Sequence, residues 1–224
     1  MKIGGFQGLS TIDFPATISS VIYTQGCNFK CPYCHNHQLI PIIPDNITHM
    51  VFDIFTKLEQ KIGLVDGIVI TGGEPTIQKD IINFCRHIKQ MGFEVKIDTN
   101  GSNPKVLEEL IQIIDYIAMD IKSFNYDGYK LLSPGFNPDN LNKSIDIIMQ
   151  NTIPYEFRMT AAWPFINIQD TNYDLLEYIH NGRVCYLQVA NSNPNWSNGR
   201  PYSSEEMEMI KSIISDYFVE VFVR

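Results

Sequence analysis

No apolar run in this sequence reaches the roughly 18 residues that a membrane-spanning helix requires, and Met1-Lys2-Ile3-Gly4-Gly5 lacks the apolar core of a signal peptide. Positive charge is also short: 17 Lys and Arg stand against 25 Asp and Glu, for a formal charge of −8. Such a surface repels nucleic acid and anionic membranes, so neither is expected as a partner, and the expected setting is the cytoplasm. No internal repeat, low-complexity tract or charge block interrupts the chain. Cysteines number only five, an odd count, and three of them crowd into Cys27–Cys34. That is a poor arrangement for structural disulfides and a good one for a metal site.

What is present is a long alternation of two periods. With 224 residues, 44% of them hydrophobic, the chain can bury a sizeable core and is expected to form a single domain over 1–224. β-Branched and aromatic runs predict strands at Ser19–Thr24, Gly67–Thr71, Glu94–Asp98, Tyr116–Ile121, Tyr155–Thr160, Val184–Val189 and Phe218–Val223. Helical periodicity lies between them, at Thr48–Lys61, Gln78–Met91, Pro104–Ile114, Asn140–Gln150, Asp170–His180 and Ser203–Ser215. Thr48, Asn103, Asn140 and Ser203 are candidate helix caps, and Ser203 with Glu206 has capping-box spacing. Such alternation predicts parallel strands with crossover helices, as an open sheet or a barrel short of eight units. In either, the loops after the strand C-termini carry the chemistry. Cys85, in a helical stretch, and Cys185, in a strand, read as core. Residues 190–201, rich in Asn, Ser and Pro, read as a long loop.

The first predicted strand runs directly into Cys27-Asn28-Phe29-Lys30-Cys31-Pro32-Tyr33-Cys34. Three thiolates on one tight loop can hold three corners of a [4Fe–4S] cluster, leaving the fourth iron open to a small molecule. They can also bind structural zinc, with His35 or His37 as fourth ligand. A third reading is thiol–disulfide exchange, since Cys31-Pro32-Tyr33-Cys34 has the spacing of a redox dithiol, although Cys27 then has no role.

Cys-x-x-x-Cys-x-aromatic-Cys, with Tyr33 as the aromatic, resembles the signature of the radical S-adenosylmethionine (SAM) superfamily. Gly26–Asn36 resembles the version found in activating enzymes of glycyl radical enzymes. Gly4-Gly5-Phe6-Gln7-Gly8-Leu9-Ser10-Thr11-Ile12-Asp13-Phe14-Pro15 is similar to the anaerobic ribonucleoside-triphosphate reductase activating proteins. The resemblance implies an α/β fold, a partial (β/α)6 TIM-like barrel. It implies a [4Fe–4S] cluster on Cys27, Cys31 and Cys34, with SAM as cofactor. It also implies a glycyl radical enzyme, the anaerobic reductase foremost, as partner, and a flavodoxin or ferredoxin-type electron donor. The nearest alternatives within the superfamily are activators of pyruvate formate-lyase and deazaguanine-forming enzymes that act on a small molecule.

Other strand ends add candidates. In Thr71-Gly72-Gly73-Glu74-Pro75 two glycines let backbone approach a ligand closely, and Glu74 can accept from an ammonium group. By resemblance this element holds the methionine amino group of SAM. Asp98-Thr99-Asn100-Gly101 closes the third predicted strand and Asp120 the fourth. An Asp ending an apolar strand needs a partner, whereas Asn100-Gly101 is accounted for by a turn. In the pyruvate formate-lyase type of activating enzyme, matching positions form a monovalent cation site, which implies that role for Asp98, Thr99 and Asp120; oxygen ligands suit a hard cation. Lys122 and Arg158 can pair with a carboxylate of SAM or of the protein. His35, Asn36, His37 and Trp196 are further candidates for the pocket wall. After the strand bearing Arg158 the chain reads Thr160-Ala161-Ala162-Trp163-Pro164, departing from the family's Val-Pro-Gly type of segment.

Overall fold

A computed structural model describes residues 1–42, 51–191, 196–197 and 199–224. Its eight strands form one sheet in chain order. They are β1 (Ile3–Ser10), β2 (Ser19–Thr24), β3 (Gly67–Gly72), β4 (Glu94–Thr99), β5 (Tyr116–Ile121), β6 (Tyr155–Ala161), β7 (Gly182–Val189) and β8 (Phe218–Val223). β1 pairs antiparallel with β2, and every later pair is parallel. The crossovers carry α1 (Val51–Glu59), α2 (Ile81–Gln90), α3 (Pro104–Leu110), α4 (Tyr126–Leu132), α5 (Pro138–Gln150), α6 (Asp174–Ile179) and α7 (Ser204–Ile214). Six strand–helix units followed by β8 make the expected partial barrel, with β1 added along its first edge.

Side-chain alternation explains how the barrel holds together and what it encloses. Outward residues such as Ile68, Ile70, Val95, Ile97, Ile117, Met119, Phe157 and Met159 are buried in one continuous core with the helices. α2 presents Ile81, Phe84, Cys85 and Ile88 to that core, the i, i+3, i+4, i+7 spacing of an amphipathic helix. Cys85 and Cys185 are fully buried there, as expected. The intervening residues face inward, where Phe14, Val21 and Val69 form a small apolar plug at one end. Beyond the plug the interior is polar and charged: Lys96 and Asp98 on β4, Asp120 on β5, Glu156 and Arg158 on β6.

Two elements escaped the pattern. β1 carries three glycines among its first six residues, Ile3-Gly4-Gly5-Phe6-Gln7-Gly8, which masks strand propensity; pairing with β2 forms it. α4 contains Gly128 and is held by Asn125, whose side chain accepts from the Gly128 N–H. Among the caps, Ser203 and Glu206 form the full capping box. Asn137, not Asn140, caps α5, because Pro138 takes the first helical position. Asn103 precedes α3 but its side chain donates to the Thr76 carbonyl (2.8 Å) instead of accepting from the helix. Thr48 lies outside the described residues.

Candidate active site

The carboxyl ends of β2, β3, β4, β5 and β6 surround a cavity of ≈ 300 Å³. Cys27, Cys31, Tyr33 and Cys34 line it from the loop after β2, and Gly72, Gly73 and Glu74 from the end of β3 and the loop beyond it. Asp98, Thr99, Asp120, Lys122 and Arg158 supply much of the remaining wall, so the candidate cluster and SAM residues meet at one place. His35 and Asn36 also line it; His37 and Trp196 do not, Trp196 instead packing against the Tyr33 ring from behind (6.0 Å between centroids).

Backbone packing fixes the cysteine loop. The Gly73 N–H donates to the Thr24 carbonyl and the Glu74 N–H to the Gly26 carbonyl, each at 2.9 Å. A Cβ on Gly73 would stand 2.1 Å from the Gly26 carbonyl oxygen, and one on Gly72, at φ +111°, would stand 2.5 Å from the Thr24 nitrogen. The glycine pair is therefore required for strand-loop contact immediately before Cys27. Glu74 is buried, and its own loops saturate it: Oε1 accepts from the Thr76 N–H, the Thr76 hydroxyl and the Thr99 hydroxyl, and Oε2 from the Asn100 N–H. Burial raises its pKa, with those four donors opposing the rise. Glu74 ties the third strand's loop to the fourth's.

Asn100, assigned from the sequence only to a turn, proves to be part of the site. It is buried, and its Nδ2 donates to Asn28 Oδ1 (2.9 Å) and lies 4.0 Å from Cys27 Sγ. Asn28 in turn donates to the Ser102 hydroxyl. No local pattern marks this clamp, because each member also suits an ordinary turn. From the other side, the Lys30 N–H donates to the Leu132 carbonyl at the end of α4, and Phe29 packs edge-on against Tyr129.

The floor is a row of alternating charges. Lys96 Nζ donates to Asp98 Oδ1 (2.6 Å), Arg158 Nη1 to Asp98 Oδ2 (2.9 Å), Arg158 Nε to Asp120 Oδ1 (3.0 Å) and Lys122 Nζ to Asp120 Oδ2 (3.1 Å). Burial alone raises carboxyl pKa values, but Arg158 and Lys96 outweigh it at Asp98, and Lys122 and Arg158 bring Asp120 down to about 2. All four carboxylate oxygens expected to ligate a monovalent cation thus have protein cations as partners, and the Thr99 hydroxyl is committed to Glu74. Within this row three cations face two carboxylates, and of the cations Lys122 and Arg158 line the cavity, where they can receive an anionic ligand group.

The thiols suit a cluster better than the rival chemistries. Burial pushes Cys27 up to about 12 and raises Cys31 and Cys34, the Lys122 ammonium opposing the rise at each. A redox dithiol uses only Cys31 and Cys34, whereas Cys27 lines the same cavity beside them. Zinc holds sulfur at about 2.3 Å in a closed tetrahedron. Among the described residues no three His, Cys, Asp or Glu side chains gather as ligands for one ion. The buried Tyr33 hydroxyl is aimed at Cys31, whose thiol pKa it lowers as a donor, and it makes no other hydrogen bond among the described residues, so a cluster sulfur held at Cys31 would take the same donor. Cys27 Sγ already accepts from the Phe29 N–H (3.4 Å). These donors, with Lys122 to offset thiolate charge, fit an iron–sulfur group.

A half-open parallel barrel with thiols and a charged row at the carboxyl ends of its strands defines an α/β-barrel enzyme whose chemistry sits in its loops. Residues 21–179 match the sequence pattern of the Radical SAM superfamily, and the chain belongs to that superfamily, whose members carry a [4Fe–4S] cluster and SAM. It is 43% identical over 176 residues to a putative glycyl-radical enzyme activating enzyme of Methanocaldococcus jannaschii, covering 75% of this chain and 71% of that one. To the pyruvate formate-lyase-activating enzyme of Streptococcus mutans it is 29% identical over 143 residues, 58% of this chain and 54% of the relative, so the match spans about half of that protein. The fold is shared with a radical SAM methyltransferase from Sphaerobacter thermophilus, at a TM-score of 0.72 and 16% identity over 96% of this chain and 68% of that one.

Proposed function

We propose that this chain, as one radical SAM domain over 1–224, activates a glycyl radical enzyme, and that the partner is anaerobic ribonucleoside-triphosphate reductase. The observation that carries the reading is the meeting, in one cavity at the barrel mouth, of three cluster-type thiols with Lys122 and an Arg158 guanidinium held by Asp98 and Asp120. Similarity to the M. jannaschii protein supports the activating role, and the Gly4–Pro15 segment supports the reductase as partner. Cys27, Cys31 and Cys34 would hold the cluster, which would supply the one electron needed for reductive cleavage of SAM, the chemistry by which a hydrogen atom would be taken from a glycine of the partner.

The residues of this chain bind and orient. Cys27, Cys31 and Cys34 hold the cluster, and Tyr33 closes its dry side against Phe165 and Trp196. The backbone at Gly72 and Gly73 receives the SAM ammonium, with Glu74 bracing that loop. Lys122 and Arg158 receive its carboxylate, Arg158 being aimed by Asp98 and Asp120. Reducing equivalents come from a flavodoxin or ferredoxin-type donor.

After anaerobic reconstitution and reduction, the protein is expected to release 5′-deoxyadenosine and methionine from SAM in equal amounts. Cys27→Ala, Cys31→Ala and Cys34→Ala should each lose cluster iron and fall to background turnover; full iron content and turnover in any one removes that ligand. A glycyl radical doublet in electron paramagnetic resonance, on purified reductase, identifies the partner. A second reading, activation of pyruvate formate-lyase, is supported by the S. mutans relative, and a radical appearing on the lyase and not on the reductase would select it.

A further inference from the structure

Lys96 is the deepest member of the charged row and the one the sequence pattern hid. It stands on β4 two residues before Asp98, is 1% exposed, and takes no part in the cavity wall. A buried ammonium keeps its charge only where partners replace water. Here Asp98 Oδ1 lies 2.6 Å from Nζ, and the Tyr116 ring centroid lies 5.8 Å away. Asp98 spends its second oxygen on Arg158 Nη1, and Arg158 spends Nε on Asp120. Glu156, also buried on the inward face, is taken by the Tyr116 hydroxyl (2.9 Å) and by Arg224 (3.7 Å), so it does not compete for Lys96.

From this arrangement we infer that Lys96 is a tethered monovalent cation: its ammonium occupies the position at Asp98 that a dissolved sodium or potassium ion would otherwise fill. The inference corrects the cation expected at Asp98, Thr99 and Asp120, and it deepens the proposed function by assigning how the SAM carboxylate site is charged. Lys96 is a positioning residue. By saturating one oxygen of Asp98 it leaves a single oxygen for Arg158, which keeps the guanidinium shared between Asp98 and Asp120 and aimed at the cavity. Without Lys96, Asp98 would hold one unpartnered buried oxygen. Either an inorganic cation would enter, or Arg158 would turn both nitrogens to Asp98 and abandon Asp120.

The test compares sodium chloride, potassium chloride and tetramethylammonium chloride at equal ionic strength, the last ion being too large for the site. SAM binding to the reconstituted wild type, followed by calorimetry, is expected to be the same in all three. Lys96→Met should bind SAM about tenfold more weakly in tetramethylammonium, as for loss of one charged hydrogen bond, and recover saturably in sodium or potassium. Metal-free Lys96→Met should likewise melt higher in sodium or potassium than in tetramethylammonium, while the metal-free wild type should not discriminate. The double variant Lys96→Met with Asp98→Asn leaves no unpartnered carboxylate oxygen at this position and should lose the ion response. Ion-dependent SAM binding or melting in the wild type overturns the inference, and so does a weakened Lys96→Met that neither ion restores. If Lys96→Met does not fold, the wild-type comparison and the double variant still decide. Melting of the metal-free protein reads the ion site without cluster or cofactor, so a wild type that fails to bind SAM sinks the proposed function and leaves this test standing.

Discussion

A methyl group on Gly73 would meet the Gly26 carbonyl oxygen at 2.1 Å, and no side-chain rotation can relieve a clash between Cβ and backbone. Gly73→Ala must therefore part the loops after β2 and β3, breaking the Glu74 N–H to Gly26 carbonyl bond next to Cys27. The expected result is a loss of about 1–3 kcal/mol, the range for overpacking, in urea unfolding of the metal-free protein, with incomplete iron uptake on reconstitution. Wild-type stability and iron content in this variant would mean that the glycine serves only the ligand side. At this scale the sequence was legible where residue type is restrictive: three thiols at fixed spacing, two adjacent glycines, an Asp closing a strand. It was opaque where the same residue suits a turn and a clamp, as with Asn100, or where a charge lies inside a strand, as with Lys96.

Strands were more legible than helices. Ser19–Thr24, Tyr116–Ile121 and Phe218–Val223 coincide with β2, β5 and β8: β2 and β5 are largely covered on both faces and read as nearly unbroken apolar runs, whereas β8 exposes Val219, Glu220, Phe222 and Val223 at the sheet edge and is marked by its β-branched and aromatic content. Helix starts drifted where polar residues cluster, since Asn and Asp cap, turn or solvate with equal ease. The α6 helix begins at Asp174, not Asp170, whose side chain instead accepts from Asn125 ahead of α4. Ser203 is the exception, because a capping box needs two residues at set spacing. Its hydroxyl accepts from the Glu206 N–H (3.3 Å) and Glu206 Oε2 accepts from the Ser203 N–H (2.9 Å). Ser203→Ala should cost about 1 kcal/mol in chemical denaturation, the usual value of an N-cap. SAM cleavage should be unaffected, since α7 packs behind the barrel wall; no change in stability would show that the Arg200–Glu206 pair alone holds the helix start.

Across the whole molecule, the charged row ties β4, β5 and β6 together through the interior, so the barrel is cross-braced by ion pairs as well as by its outer apolar core. Both carboxylates have folded-state pKa values below their ordinary values, Asp120 at about 2. A group whose pKa falls on folding adds stability that is complete above its unfolded value, about 3.9 for Asp, and disappears as the pH drops through the folded value. Because the two share Arg158, they titrate as a unit. Melting of the metal-free protein should therefore be insensitive to these groups from pH 7 to about pH 5 and decline through them between about pH 4 and 2. Arg158→Met removes the shared partner but not the burial that pushes both carboxyls up. It should lower stability at pH 7 by about 3–5 kcal/mol, as for a broken buried pair, and move the onset of acid loss to higher pH. Carboxylates elsewhere contribute equally to both proteins and cancel in the difference between their curves. Parallel melting curves for wild type and Arg158→Met across that range would show that the row does not brace the fold, leaving Arg158 to serve the ligand alone.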